Sequence, residues 1–287
     1  MKVLINIVIS MSAFFIAIGI AYLTGSSIVI NAVLLAFLIH WVAFVPAYIF
    51  QTEKFYDLTG SITYLSVVWI TYMMSKNQYE ISTGSLILAI LISIWAIRLG
   101  SFLFLRIHKD GEDKRFRTIK PSFSQFFMTW TLSGLWVSLC SMCALTAISS
   151  PSGIMLNIPT LIGLCLFAVG FTIEVIADHQ KTVFRSDPEN KNKFIKSGLW
   201  SKSRHPNYFG EIILWFAIAV ISFSSLKGTQ YLTLISPIFT YLLLVYVSGV
   251  RMLEARGDMK WGNNEAVSYT HLRAHETRED RVLRGLL

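Results

Sequence analysis

The densest chemistry in the chain lies in the run GLWSKSRHPNYFGE, from Gly198 to Glu211. Pro206 ends any helix arriving from the preceding loop and suits the first turn of a new one. In that helix Asn207 and Glu211 are four residues apart, and Tyr208 and Glu211 three, so their side chains share a face. Gly210 lets a ligand or another helix approach the backbone. Arg204, His205 and the N–H groups of a helix start suit a phosphate or a carboxylate. A basic anchor at a membrane interface is the plainer reading, but it does not require Asn207 and Glu211 in register behind the basic pair. Upstream, Glu174 and Asp178 repeat the four-residue spacing. Such an acidic pair can hydrogen-bond ribose hydroxyls or an adenine amine, while Arg185, Lys191, Lys193 and Arg204 can neutralise phosphates. Neighbouring segments therefore offer the polar complement of a nucleotide. No GxGxxG and no GxxxxGK[ST] is present, which leaves a Rossmann domain and a P-loop unsupported.

A second cluster is Gln51-Thr52-Glu53-Lys54-Phe55-Tyr56-Asp57. A neutral carboxylic acid or a phenol in apolar surroundings can donate a hydrogen bond to a ketone and stabilise an enolate. An interfacial turn with a tyrosine anchor is the competing reading. Arg98 lies inside an apolar run, where charge is costly and is kept for a partner or a task. His40 reads as a histidine satisfied by a neighbouring helix, and the aromatic stripe 123–136 as core or lipid-facing packing. Cys140, Cys143 and Cys165 read as buried small apolar residues. No His/Cys/Asp/Glu set has metal spacing.

These residues need elements to hold them. The 287 residues are 54% hydrophobic and 15% charged, with a net charge of +8 and a mean hydropathy of +0.55. Soluble domains carry about 25% charged residues, so a water-soluble monomeric globule, a disordered chain and a fibre are excluded. The apolar mass forms runs near bilayer length. Eight spans are expected, near 3–24, 28–50, 58–75, 83–105, 122–149, 154–177, 208–225 and 231–253. Seven is the alternative, because 58–75 and 208–225 are short and polar-spotted. The basic residues sit in loops that fall on one side in this count, which predicts cytoplasmic termini and long loops. Topology thus accounts for the charge without a nucleic-acid partner. The fold class is all-α: a polytopic transmembrane bundle, expected to be a monomer, with one domain over 1–265. SYTHLRAHET, near the end, resembles translated adaptor sequence, so 266–287 is read as a non-native or disordered tail.

With EVIADHQKTVFR and NKNKFIKSG before it, the block GLWSKSRHPNYFGE resembles the membrane steroid 5-alpha-reductase family, in particular its bacterial multi-span branch. The resemblance covers about residues 50–262. Sterol C14-reductases share much of RHPNY…GE, and membrane methyltransferases have a related RHPxYxG. The resemblance implies an NADPH-dependent reductase of the bacterial inner membrane, with the cofactor side cytoplasmic. It implies hydride transfer to the alkene carbon beta to a ketone, in an apolar enone such as a 3-oxo-4-ene steroid entering from the lipid. By match, Glu174, Asp178, Arg185, Asn207 and Glu211 look like cofactor contacts, with Arg204, His205 and Tyr208 beside them. Arg98, Arg106 and Arg251 match basic positions of the family. Its carbonyl-polarising Glu most resembles Glu53, which follows Gln51 with one residue inserted, and Tyr56 or Asp57 stands ready instead. The family's Tyr ahead of the first basic loop is missing, and Trp95 stands nearby. A methyltransferase using S-adenosylmethionine is the rival reading. That ligand has no phosphate, so the basic loop favours NADPH.

Overall fold

In a computed structural model of the protein, residues 1–190, 193–247, 249–250 and 253–254 are described. Eight α-helices follow one another among them: α1 Lys2–Leu23, α2 Ser27–Ile49, α3 Tyr56–Lys76, α4 Thr83–Asp110, α5 Phe123–Ile148, α6 Ile158–Ser186, α7 Pro206–Phe223 and α8 Ile235–Leu242. No strand occurs among the described residues. The all-α bundle expected from hydropathy is the observed architecture. Among the described residues, seven helical segments are long and apolar enough to cross a bilayer, the last running from Gly228 through α8 to Val247. This makes a multi-pass membrane protein.

The helix that falls short is α3, one of the two doubtful spans. Its Thr59, Thr63, Thr71, Ser75, Tyr64 and Tyr72 are nonetheless buried. Local bonding makes that tolerable at three of them. The hydroxyls of Thr59, Thr63 and Ser75 donate to the carbonyls of Phe55, Thr59 and Thr71, four residues back. A hydroxyl that bonds its own helix leaves no donor unmet.

Two helices outrun their apolar stretches. α4 continues past 105 to Asp110, and α6 past 177 to Ser186. Neither meets a breaker earlier: α4 stops at Gly111, at φ 82°, and α6 stops two residues before Pro188. The final expected span is broken instead. A 3-10 segment Gly228–Leu234 precedes α8, and a π turn Leu243–Val247 follows it.

The residues divide into two compact units. In the first, Met1–Gly163 with Ile218–Pro237, α5 is the hub and packs on α1, α2, α3 and α4. The second comprises Leu164–Ala217 and the stretch from Ile238. Its heart is a crossing of α6 and α7 at two glycines. A Cβ on Gly210 would stand 2.6 Å from the Gly170 carbonyl oxygen and 2.7 Å from the Glu174 amide nitrogen. A Cβ on Gly170 would stand 2.7 Å from both the Gly210 oxygen and the Leu214 nitrogen. Only hydrogen fits at either place. Small residues of this kind let transmembrane helices meet backbone to backbone. Of the cysteines, Cys140 and Cys143 are buried as expected, whereas Cys165 is exposed on the apolar surface of α6. The 266–287 tail lies outside the described residues.

Candidate functional site

The site on α6 and α7 follows from the glycine crossing. Gly170, Glu174 and Asp178 recur every four residues along one face of α6. Where Gly210 touches Gly170 and Glu174, the rest of that face meets the start of α7. Asn207 donates through Nδ2 to Asp178 Oδ1 at 3.2 Å. Glu174, Asp178 and Glu211 are all buried, at 2%, 5% and 6% exposure. Asn207 is thus brought onto Asp178, with Glu174 and Glu211 one turn away on their own helices; α7 starts at Pro206 as anticipated, whereas α6 starts later and ends later than its expected span.

The connecting loop is pinned back onto the extra turns of α6. Trp200 is buried, donates from its indole N–H to the Ala177 carbonyl at 3.0 Å, and lies under the Lys181 ammonium at 4.6 Å. Gln180 Oε1 accepts from the Leu199 amide at 3.0 Å. Gly198 adopts φ 60° with no room for a Cβ beside the Gln180 side chain. The loop then delivers Arg204 and His205 to the start of α7. Both pair with Glu254: Arg204 through Nη1, and His205 through Nε2 at 2.5 Å. Tyr208 stacks on the His205 ring with centroids 5.9 Å apart. Arg185, Lys193, Lys196 and Lys202 are exposed. Arg251 lies outside the described residues, as does Lys191.

The first unit holds the second cluster. α2 ends in a Schellman turn, in which the Thr52 amide bonds the Ala47 carbonyl at 2.9 Å and the Gln51 amide bonds that of Tyr48 at 3.3 Å. The residue in the left-handed position of such a turn is ordinarily Gly. Here it is Gln51, at φ 50°. A β-carbon there costs about 1 kcal/mol. Gln51→Gly is expected to raise thermal stability by a comparable amount, read as an increase in melting temperature.

The turn aims Glu53 inward, where it is 4% exposed. Glu53 Oε2 pairs with Lys120 Nζ at 2.5 Å, and Oε1 accepts from the Asp113 amide at 2.8 Å. Lys120 and Asp113 belong to the basic loop after α4, so this carboxylate latches that loop to the end of α2. Both Glu53 oxygens are thus engaged as acceptors by the loop, and the side chain can turn to a ketone only if the loop releases it. The loop is held further by Asp113 with Arg115 and by Glu112 with Arg117. Burial works to raise the Asp113 carboxyl, but the Arg115 amide and guanidinium carry it below the ordinary carboxylate range. Folding therefore gains from Asp113 at neutral pH, and the gain fades on acidification below that range. Phe116 is buried against Tyr56, with ring centroids 5.0 Å apart. The Tyr56 hydroxyl donates to the Thr129 carbonyl at 3.0 Å. The Asp57 carboxyl has no hydrogen bond among the described residues, and its neighbouring charges include Arg115 and Arg106. Arg98 and Arg106 lie one turn to either side of Phe102, 5.2 and 5.9 Å from its ring.

His40 is not satisfied by a neighbouring helix as expected: Nδ1 bonds the Ala36 carbonyl of its own helix at 2.8 Å, and Nε2 is buried with no hydrogen-bond partner among the described residues. Phe126 and Trp130 of the aromatic stripe are core. No metal-ligand cluster occurs among the described residues. Sequence reasoning missed Lys120, Glu254 and Gly170. Only Gly170 left a sequence signal, its four-residue spacing from Glu174.

The family described as "Protein of unknown function (DUF1295)" matches residues 43–274. The chain belongs to that family. Through it, the protein is a member of the steroid 5-alpha-reductase-like superfamily. It is 34% identical over 114 residues to a "Probable O-methyltransferase ustE" of Ustilaginoidea virens, a match covering 34% of this chain and 40% of that protein. It is 38% identical over 64 residues to "Steroid 5-alpha-reductase DET2" of Gossypium hirsutum, covering 22% of this chain and 25% of that one. The matches thus span less than half of either relative. No solved structure matches the chain.

Proposed function

We propose that the protein is an NADPH-dependent membrane reductase of an apolar enone, with a 3-oxo-4-ene steroid as the representative substrate. The observation that carries the reading is the set of buried carboxylates Glu174, Asp178 and Glu211 with the half-buried Asn207, beside an exposed basic loop. Superfamily membership and the likeness to a steroid 5-alpha-reductase support it. The residues present fit a dinucleotide phosphate. Buried carboxylates suit hydroxyl and amine donors, the exposed Arg185, Lys193, Lys196 and Lys202 suit phosphates, and the atoms His205 Nδ1 and Asn207 Oδ1 are buried with no hydrogen-bond partner among the described residues. When bound, NADPH supplies the hydride. The protein's part is to orient the nucleotide through α6 and α7, exclude water with its apolar helices, and hold a proton donor at the ketone oxygen. Glu53, Tyr56 and Asp57 are the proposed donors. Among them, Asp57 is the one whose acidic group makes no hydrogen bond among the described residues. A donor placed where the enolate charge develops contributes about 3 kcal/mol to lowering the barrier.

A second reading has its own support in the longer match to a protein named as an O-methyltransferase. In it, S-adenosylmethionine would occupy the α6–α7 site. One assay separates the two. The detergent-purified protein is incubated with a 3-oxo-4-ene steroid and either NADPH or S-adenosylmethionine, and the product is weighed by mass spectrometry. The reductase reading expects a gain of two hydrogens with NADPH alone. A methylated product with S-adenosylmethionine alone contradicts it. In the same assay, Asp57→Asn is expected to lower turnover with little change in NADPH affinity.

A further inference from the structure

His205 and Asn207 share one arrangement. His205 Nε2 lies 2.5 Å from Glu254 Oε1. A carboxylate only accepts, so the N–H is on Nε2, and a neutral ring then carries its lone pair on Nδ1. That Nδ1 is buried and has no hydrogen-bond partner among the described residues. Asn207 gives Nδ2–H to Asp178 Oδ1, which fixes the amide orientation and leaves Oδ1 as the outward group. This Oδ1 is also buried, with no hydrogen-bond partner among the described residues. In both cases a carboxylate takes the donor side and an acceptor is left over. A buried acceptor with no donor is costly and calls for an occupant.

We infer that Glu254 is a positioning residue: with Asp178 it turns His205 and Asn207 so that both present acceptors, and these receive hydroxyl or amide N–H groups of a nucleoside rather than phosphate. This rests on the nucleotide reading above, and it fits NADPH and S-adenosylmethionine equally, since both carry a ribose. It also changes the part His205 plays, from a cation beside phosphates to a neutral acceptor. The surroundings agree. Burial lowers the His205 pKa, Lys181 and Arg204 act in the same direction, and Glu254 opposes them without reversing the result. The uncharged Tyr208 ring stacks on it as well.

The full chain, labelled with 15N-histidine in detergent, tests this. The chain has six histidines, and the His205 signals are identified by their loss in His205→Asn. At pH 7.5 the expected spectrum shows a protonated Nε2 and a bare Nδ1, and saturating NADP+ moves the Nδ1 resonance upfield as it accepts a hydrogen bond. Glu254→Ala is expected to mix the tautomers and weaken NADP+ binding about tenfold, the scale of one well-placed hydrogen bond. Glu254→Gln, whose oxygen still accepts from Nε2–H, restores most of it. An imidazolium at pH 7.5, an Nδ1 unmoved by NADP+, or unchanged or tighter binding by Glu254→Ala overturns the inference. If Glu254→Ala does not fold, the wild-type spectrum and Glu254→Gln decide. Wild-type protein that binds none of NADP+, NADPH and S-adenosylmethionine overturns the nucleotide reading instead, and the apo spectrum still reports the tautomer.

Discussion

Gly210→Ala is expected to lose nucleotide binding and to melt at a lower temperature than wild type, although it adds one methyl group to a helix. The methyl would stand 2.6 Å from the Gly170 oxygen and 2.7 Å from the Glu174 nitrogen. Both are backbone atoms, so no side chain can swing aside, and α6 and α7 must separate. Overpacking of this kind costs about 1–3 kcal/mol. Binding should suffer more than stability, because the same displacement pulls Asn207 from Asp178 and opens the buried Glu174–Glu211 region. Thermal melts with and without NADPH measure both effects. Gly19→Ala is the control. Nothing lies within 4 Å of a Cβ there, and alanine is the better helix former by about 1 kcal/mol. That variant should be neutral or stabilised.

Lys120→Met carries the second large effect. Glu53 is 4% exposed and its pairing oxygen faces Lys120 at 2.5 Å. Removing one partner of a buried pair strands the other charge, at a cost of about 3–5 kcal/mol. The loop between α4 and α5 should come loose, and protease cleavage between Gly111 and Pro121 should rise. The double variant Glu53→Gln/Lys120→Met removes both charges and should recover much of the loss. A cycle of the two single variants and the double one then isolates the coupling. Equal effects for Lys120→Met and the double variant would mean the pair does not latch the loop.

The sequence made the helices legible because apolar runs of bilayer length leave few alternatives. Their polar ends were less legible. α4 and α6 extend beyond the apolar runs, because hydropathy stops at the membrane surface while a helix stops at a breaker such as Gly111. The α6–α7 site was readable for a local reason. Glu174 with Asp178, and Asn207 with Glu211, each obey helical spacing, so two helices sufficed to place all four. The partners that decide protonation and geometry were not readable. Lys120 reaches Glu53 across 67 positions and Glu254 reaches His205 across 49. No periodicity links such pairs, and only the packing of the helices brings them together. Gln51 shows the same limit in the backbone: its left-handed conformation is imposed by the end of α2, and its residue type gives no sign of it.

The central claim is that α6 and α7 hold a dinucleotide phosphate, and ligand-induced thermal stabilisation tests it most directly. Detergent-purified protein is melted with NADPH, NADH or S-adenosylmethionine, and the series is repeated with Asn207→Ala. Stabilisation by NADPH above the other two, lost in Asn207→Ala, is the predicted result. Stabilisation by S-adenosylmethionine alone contradicts the reductase account and points to methyl transfer. Stabilisation by NADPH that persists undiminished in Asn207→Ala places the nucleotide elsewhere than on α6 and α7.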